Sequence, residues 1–144
     1  MLFLILANLP YWFRDPLAPH QLLSWFLLAI CTILAAQSFY LFLKVGKPQG
    51  KEEDNPNFWF ENTANLVQVG VYKYIRHPMY GSLLFLGYGA FLKHVSIVSA
   101  IATIIISMML YLAATVEESE DIQRFGAAYT EYMKTTKKFI PFIF

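Results

Sequence analysis

The sequence predicts an all-α integral membrane protein. Three transmembrane helices are joined by a short N-terminal membrane helix, which makes three to four spans, and by a C-terminal helix on the cytosolic side. Three observations predict this. The 144 residues are 57% hydrophobic and only 15% charged, whereas soluble domains are about 45–50% apolar and about 25% charged. Two uncharged runs, His20 to Leu43 and Val95 to Val116, each approach the roughly 20 apolar residues that cross a bilayer. A third apolar run, Pro78 to Leu92, adjoins the second across Lys93 and His94, as the shorter arm of a helical hairpin. The length suits a single domain over residues 1–144.

Met1 to Phe13 is apolar, but a helix of that length reaches about 20 Å against a hydrocarbon core of about 30 Å. It has neither a basic n-region nor a small-residue cleavage site, which argues against a signal peptide. Pro10, Pro16 and Pro19 break the chain before the first long helix, and Lys44 ends that helix. Val45 to Asn57, with Gly46, Pro48, Gly50, Pro56 and a cluster of charges, reads as a solvated loop. Phe58, Trp59 and Phe60 return the chain to the interface, where aromatic rings are favoured. Pro78 suits a first helical turn, and Gly81, Gly87 and Gly89 permit close packing of the shorter arm. Beyond Val116 the chain turns polar, and periodic Phe125, Tyr129 and Tyr132 continue the helix into water or along the interface. Phe139, Ile140, Phe142, Ile143 and Phe144 are apolar enough to re-enter lipid.

With three spans counted from His20, Lys44, Lys47, Lys51, Lys73, Arg76, Arg124, Lys134, Lys137 and Lys138 share one side, and only Arg14 and Lys93 fall on the other. The positive-inside rule places the first set in the cytosol. A net charge of +1 without a basic stripe excludes nucleic acid as a partner. The lone Cys31 sits in an apolar run as a small hydrophobe, and His20, His77 and His94 lack metal-ligand spacing, so no metal is expected.

Two polar clusters flank the hairpin and are brought together when it folds: Gly70 to Tyr80, directly before the first arm, and Glu117-Glu118, directly after the second. Each has an ordinary explanation. Lys73 and Arg76 suit basic anchors at a membrane boundary, Tyr72, Tyr74 and Tyr80 suit an aromatic belt, His77 suits a helix cap, and Glu117 and Glu118 suit a solvated helix end. Ionisable residues that face one another at a membrane boundary nevertheless lean toward function.

The ordered pattern Gly70-x-Tyr72-x-x-x-Arg76-His77-Pro78-x-Tyr80, then Glu117-Glu118, then Phe125-Gly126-x-x-Tyr129-x-x-Tyr132-Met133 resembles the isoprenylcysteine carboxyl methyltransferase and phospholipid methyltransferase superfamily, from about Asn65 to Pro141. The resemblance implies packed membrane helices that hold S-adenosylmethionine at their cytosolic end and transfer its methyl group to a lipophilic small molecule or lipid. It implies that Leu66, Val67, Tyr72, His77, Pro78, Met79, Tyr80 and Glu117 bind the cofactor. It further implies that Glu117, Arg76 and His77 serve catalysis and that Glu118 and Tyr129 meet the substrate. Tyrosine faces suit a methylsulfonium cation, each worth roughly 0.5–2 kcal/mol. A carboxylate such as Glu117 suits the cofactor amino group or a substrate amine, and Arg76 suits an anionic headgroup or the cofactor carboxylate.

The pattern departs from the carboxyl-methylating members at two positions. Ala113 stands where they tend to carry Arg, and Ala64 where they tend to carry His. Without the Arg a substrate carboxylate loses its natural partner, which turns the expectation toward a lipid amine or another lipophilic nucleophile. Two other readings compete. One is a non-catalytic lipid-binding or accessory subunit, against which the intact Arg-His-Pro and Glu-Glu stand. The other is a membrane reductase, against which the short chain and the lack of a Gly-rich dinucleotide fingerprint stand. The absence of an obvious targeting extension favours a prokaryotic inner membrane.

Overall fold

A computed structural model of the chain describes residues 1–46 and 65–141. The predicted loop from Lys47 onward, the aromatic trio Phe58, Trp59 and Phe60, Ala64, and Phe142, Ile143 and Phe144 lie outside the described residues. The described chain is helical: α1 (Leu2–Asn8), α2 (Pro19–Leu41), α3 (Pro78–Lys93), α4 (Ile97–Phe125) and α5 (Ala127–Thr135). A single turn over Leu9–Tyr11 extends α1, a wide π-turn over Phe42–Gly46 extends α2, and a tight turn over Gly70–Lys73 precedes α3.

Pro19 and Pro78 open α2 and α3 at the first helical position, where a missing N–H has no bond to lose. Ser96 caps α4 reciprocally with Ser99. The polar residues after Val116 do not end α4, which runs on to Phe125, but the expected continuation through Tyr129 and Tyr132 is broken, and those tyrosines lie on α5. The break falls at Gly126, whose φ of 58° lies in the left-handed region that a residue without a Cβ adopts freely.

Burial is inverted relative to a soluble protein. The residues that α2 buries are Gln21, Ser24 and Ser38, and those of α4 are Ser99, Thr103, Ala114 and Glu118. Leu22, Phe26, Ile33, Ile97, Ile104, Met108 and Leu112 face outward. In water so much exposed apolar surface would aggregate, but in lipid it is the stable arrangement, and polar side chains then join helices from within. Ser24 Oγ donates to Gly89 O at 2.7 Å, Gln21 Nε2 to Lys93 O at 3.0 Å, and Asn8 Nδ2 to Ala90 O at 2.9 Å. These bonds lock α1 and the start of α2 to the end of α3. A Cβ on Gly89 would lie 2.9 Å from Leu28 Cδ2, so the glycine sets the close approach of α2 and α3. A Cβ on Gly81 would meet the Phe139 carbonyl at 3.3 Å, while at Gly87 the nearest atom is 3.7 Å away.

Two helices, Pro19–Gly46 and Ile97–Phe125, are long and apolar enough to cross a membrane. The third expected span, α3, has 16 residues and reaches about 24 Å. It is short because Pro78 opens it and a turn at His94 closes it. It still runs antiparallel to α2 over most of that helix: Tyr72, just before α3, hydrogen-bonds Ser38 O near the end of α2, and Lys93, at the end of α3, hydrogen-bonds Gln21 near its start. Leu2–Tyr11 is apolar but shorter than either candidate span.

Candidate functional site

The end of the bundle where α2 finishes and α3 begins is built by chain crossings. Asn65 N donates to Gly46 O at 3.2 Å and Asn65 Nδ2 to Val45 O at 3.3 Å, so the chain re-enters beside the end of α2. Gly70 has a φ of +59°, which favours glycine in this turn, and a Cβ there would push on the tip of Leu41, 2.5 Å from its Cδ1. Residues 74–77 then lie alongside the tail: Lys137 N donates to Tyr74 O at 3.0 Å, Arg76 N to Lys137 O at 2.8 Å, and His77 N to Lys138 O at 3.0 Å. Tyr132 Oη adds a bond to Tyr72 O at 2.5 Å. The C-terminal segment is thus a wall of the site.

The polar terminus of α4 meets this wall. Arg76 Nε donates to Glu118 Oε1 at 2.8 Å, and its Nη1 donates to Thr136 O at 2.6 Å and Met133 O at 3.3 Å. Lys138 Nζ lies 3.0 Å from Glu118 Oε2 and also donates to Thr115 Oγ1 at 2.9 Å. Both partners of the Arg76–Glu118 pair are about one-tenth exposed. His77 is buried between the two glutamates, with Nδ1 3.5 Å from Glu117 Oε2 and Nε2 3.4 Å from Glu118 Oε1. The second contact lacks hydrogen-bond geometry, so Nε2 is a buried nitrogen without a hydrogen bond among the described residues. The ring stacks on Tyr80 at 5.7 Å.

Burial by itself lowers the His77 pKa, but the Glu117 and Glu118 carboxylates outweigh it and hold the imidazole above its ordinary value. Burial, joined by the negative charges of Asp121 and Glu118, pushes the Tyr129 phenol far up. Tyr72 and Tyr132 are likewise raised, chiefly by burial. All three phenols stay protonated well beyond neutral pH, and two already donate within the fold, Tyr72 to Ser38 O and Tyr132 to Tyr72 O.

These elements enclose a small cavity of about 150 Å³ that widens at its open mouth to about 830 Å³ of empty space. Leu66, Val67, Tyr72, Arg76, His77, Pro78, Met79, Tyr80, Glu117 and Tyr129, all expected from the sequence, line it together. Glu118 does not line it; it lies behind the wall, tied to Arg76 and Lys138. Arg76 reaches the lining, but its guanidinium is already held by Glu118 and backbone carbonyls. Phe42, Asp121, Phe125 and Tyr132 also line the pocket and were given no site role from sequence. Asp121 stands four residues after Glu117, hence on the same helix face, and that period is the signal that finds it. Lys138, 20 positions beyond Glu118 in a coil segment, carries no such signal. Ala113 is exposed one turn before Glu117.

The chain matches the phospholipid methyltransferase family over residues 20–128, most of its length, and belongs to that family. The match spans α2, α3 and α4, and with them Arg76, His77, Glu117 and Glu118. No curated protein and no solved structure matches the chain significantly.

Proposed function

We propose that this protein is a multi-pass membrane methyltransferase that uses S-adenosylmethionine to methylate a lipophilic substrate from the cytosolic side, with a phospholipid amine as the preferred class. The observation that carries the reading is the convergence of Arg76 and His77 with Glu117 and Glu118, some 40 positions apart, on one pocketed end of a bundle whose outer surface suits lipid. Lys44, Lys73, Arg124, Lys134, Lys137 and Lys138 belong to segments at this end, against Arg14 and Lys93 at the other, which supports a cytosolic site. α3, although short, serves as the third crossing, because it connects the two ends of the longer α2.

The lining fits a cationic methyl donor. Tyr72, Tyr80, Tyr129 and Tyr132 supply aromatic faces, and Glu117 and Asp121 supply carboxylates. S-adenosylmethionine would supply a methyl group activated by its sulfonium charge. Leu66, Val67, Met79 and the tyrosines would hold the donor and exclude water; Glu117, 41% exposed at its side chain, would orient an amine at either the donor or the substrate. His77 anchors Glu117 from behind, and Arg76 fixes Glu118 and the C-terminal wall, so both position the site. With Arg76 and Lys138 already paired to Glu118 and Ala113 in place of an arginine, the pocket offers a substrate carboxylate little. A substrate amine fits it better than a carboxylate.

The test is calorimetric titration of the purified protein in mild detergent with S-adenosylmethionine, beside Glu117→Ala and His77→Ala, followed by a screen of lipid extracts for labelled methyl transfer. Saturable binding, weakened about tenfold or more in Glu117→Ala by loss of a charge-assisted hydrogen bond, and methylation of an aminophospholipid are expected. Well-folded wild-type protein that binds no S-adenosylmethionine, with or without lipid, would leave only the fold and overturn the enzymatic reading.

A further inference from the structure

The opposite end of the bundle holds a second cleft, of about 1080 Å³ including its mouth, among whose lining residues are Arg14, Asp15, His20, Gln21, Lys93 and His94. Its centre is unusual. A lysine at the end of a membrane helix ordinarily snorkels, with its ammonium in the headgroup region. Lys93 is instead covered by the protein itself: it is 2% exposed. Its ammonium lies 3.5 Å from the centroid of the Trp25 ring and 5.5 Å from that of Trp12. Its hydrogen bond is to a neutral acceptor, Gln21 Oε1, at 3.2 Å.

No carboxylate pairs with Lys93 among the described residues. The acid nearest in sequence, Asp15, makes a 3.9 Å ion pair with exposed Arg14. Beside it the Trp12 Nε1 donor is buried and has no acceptor among the described residues. A buried cation without a counter-charge is costly, and an ammonium has three hydrogens to place. Ring faces offset part of that cost, but they supply no negative charge. Around the mouth stand a second fixed cation, Arg14, and two imidazoles, His20 and His94, with His94 held by stacking on Tyr11 at 3.9 Å.

We propose that this cleft is a binding site for a phosphate oxyanion, seated against Lys93 and gripped at the mouth by Arg14, as on a phospholipid headgroup or as the free ion. The oxyanion supplies the missing counter-charge and acceptors, and the two indoles screen the pair from water, where a charge-assisted bond is strongest. The site is separated from the methyltransferase pocket by the length of α3, about 24 Å, and stands whether or not that pocket is catalytic.

The indoles packed on Lys93 make tryptophan emission the readout. The full-length protein in dodecyl maltoside is titrated with dioctanoylphosphatidylglycerol, with dioctanoylglycerol (the same tails, no phosphate) and with inorganic phosphate, beside Lys93→Met and Arg14→Gln. Wild type is expected to respond saturably to the phospholipid and not to the diacylglycerol. Loss of one charge-assisted bond should weaken binding about tenfold or more in Lys93→Met and less in exposed Arg14→Gln. Competition by inorganic phosphate assigns the site to the free ion as well; its absence assigns it to the headgroup alone. Monodispersity and near-ultraviolet dichroism show whether Lys93→Met folds, and if it does not, Arg14→Gln decides alone. A response equal for both lipids, no response to phospholipid or phosphate, or a response unchanged in every folded variant overturns the proposal.

Discussion

The two ends of this bundle each bury a cation, and they do so by different chemistry. Arg76 is enclosed by its complement: Glu118 at 2.8 Å, the carbonyls of Thr136 and Met133, and Lys138 sharing the same carboxylate. Lys93 is enclosed by two indoles and one amide oxygen. A guanidinium presents five donors in a fixed plane and suits a network, whereas an ammonium is a compact point charge that sits over a ring or against an anion. The first end is a finished structural unit in which each member holds another. The second has a charge that the described protein leaves unmatched.

That contrast makes the largest expected effect a difference between two similar substitutions. Arg76→Met leaves buried Glu118 with Lys138 as its remaining ionic partner and frees the Thr136 and Met133 carbonyls; removal of one member of a buried pair costs up to about 3–5 kcal/mol. Lys93→Met deletes a buried charge that has no ionic partner, so a flexible apolar chain of similar length replaces it with a change of about 1 kcal/mol or less. Denaturation midpoints of both variants in the same detergent measure the difference. Equal losses would mean that Lys93 is as much a structural keystone as Arg76 and would remove the contrast.

The pattern of apolar runs in the sequence contains α2 and the α3–α4 hairpin, because lipid-facing helices need only length and freedom from charge to be recognised; the run of α4 past Val116 is charged and is signalled only by the spacing of its aromatic residues. The meeting of Arg76 and His77 with Glu117 and Glu118 follows from that hairpin. What was hidden depends on chain crossings. The pairing of residues 74–77 with residues 136–138 brings Lys138 onto Glu118, and no local period announces a contact between a coil and a helix end. Lys93 looked like a turn marker, because a charge closing an apolar run reads as a boundary; its burial depends on Trp12 and Trp25 closing over it. Glu118, assigned to substrate from the motif, is adjacent to Glu117 in sequence, yet the two occupy different sides of the wall. Neighbours on a helix diverge by about 100°.

A smaller effect tests the seam that joins the two ends. Gly89→Ala places a Cβ 2.9 Å from Leu28 Cδ2 and 3.4 Å from the Ser24 carbonyl. The carbonyl is at ordinary contact distance, but Leu28 Cγ lies at 2.9 Å as well, so the whole Leu28 side chain must give and overpacking of about 1–3 kcal/mol is expected. The disturbance should spread toward Lys93 rather than toward Arg76, since Ser24 and Gln21 carry the bonds to the end of α3. Tryptophan emission should therefore change more than S-adenosylmethionine binding does; a change confined to the cofactor titration would show the seam to be coupled to the wrong end.

The smallest effect separates the ends by pH. The His77 pKa is raised in the folded protein because Glu117 and Glu118 outweigh burial. A raised value means that the folded state binds the proton more tightly than the unfolded chain. The resulting stabilisation is complete below the ordinary imidazole value of about 6.5 and fades as pH climbs through the folded value. Wild type should accordingly lose stability between slightly acid and mildly alkaline conditions, and His77→Gln should lose less over the same interval. The difference between the two curves isolates this imidazole from His20 and His94, which both proteins retain at the other end. Parallel curves would mean that His77 is neutral throughout; its contacts to the glutamates would then be packing rather than an ion pair, and Glu117 would be free to turn fully into the pocket.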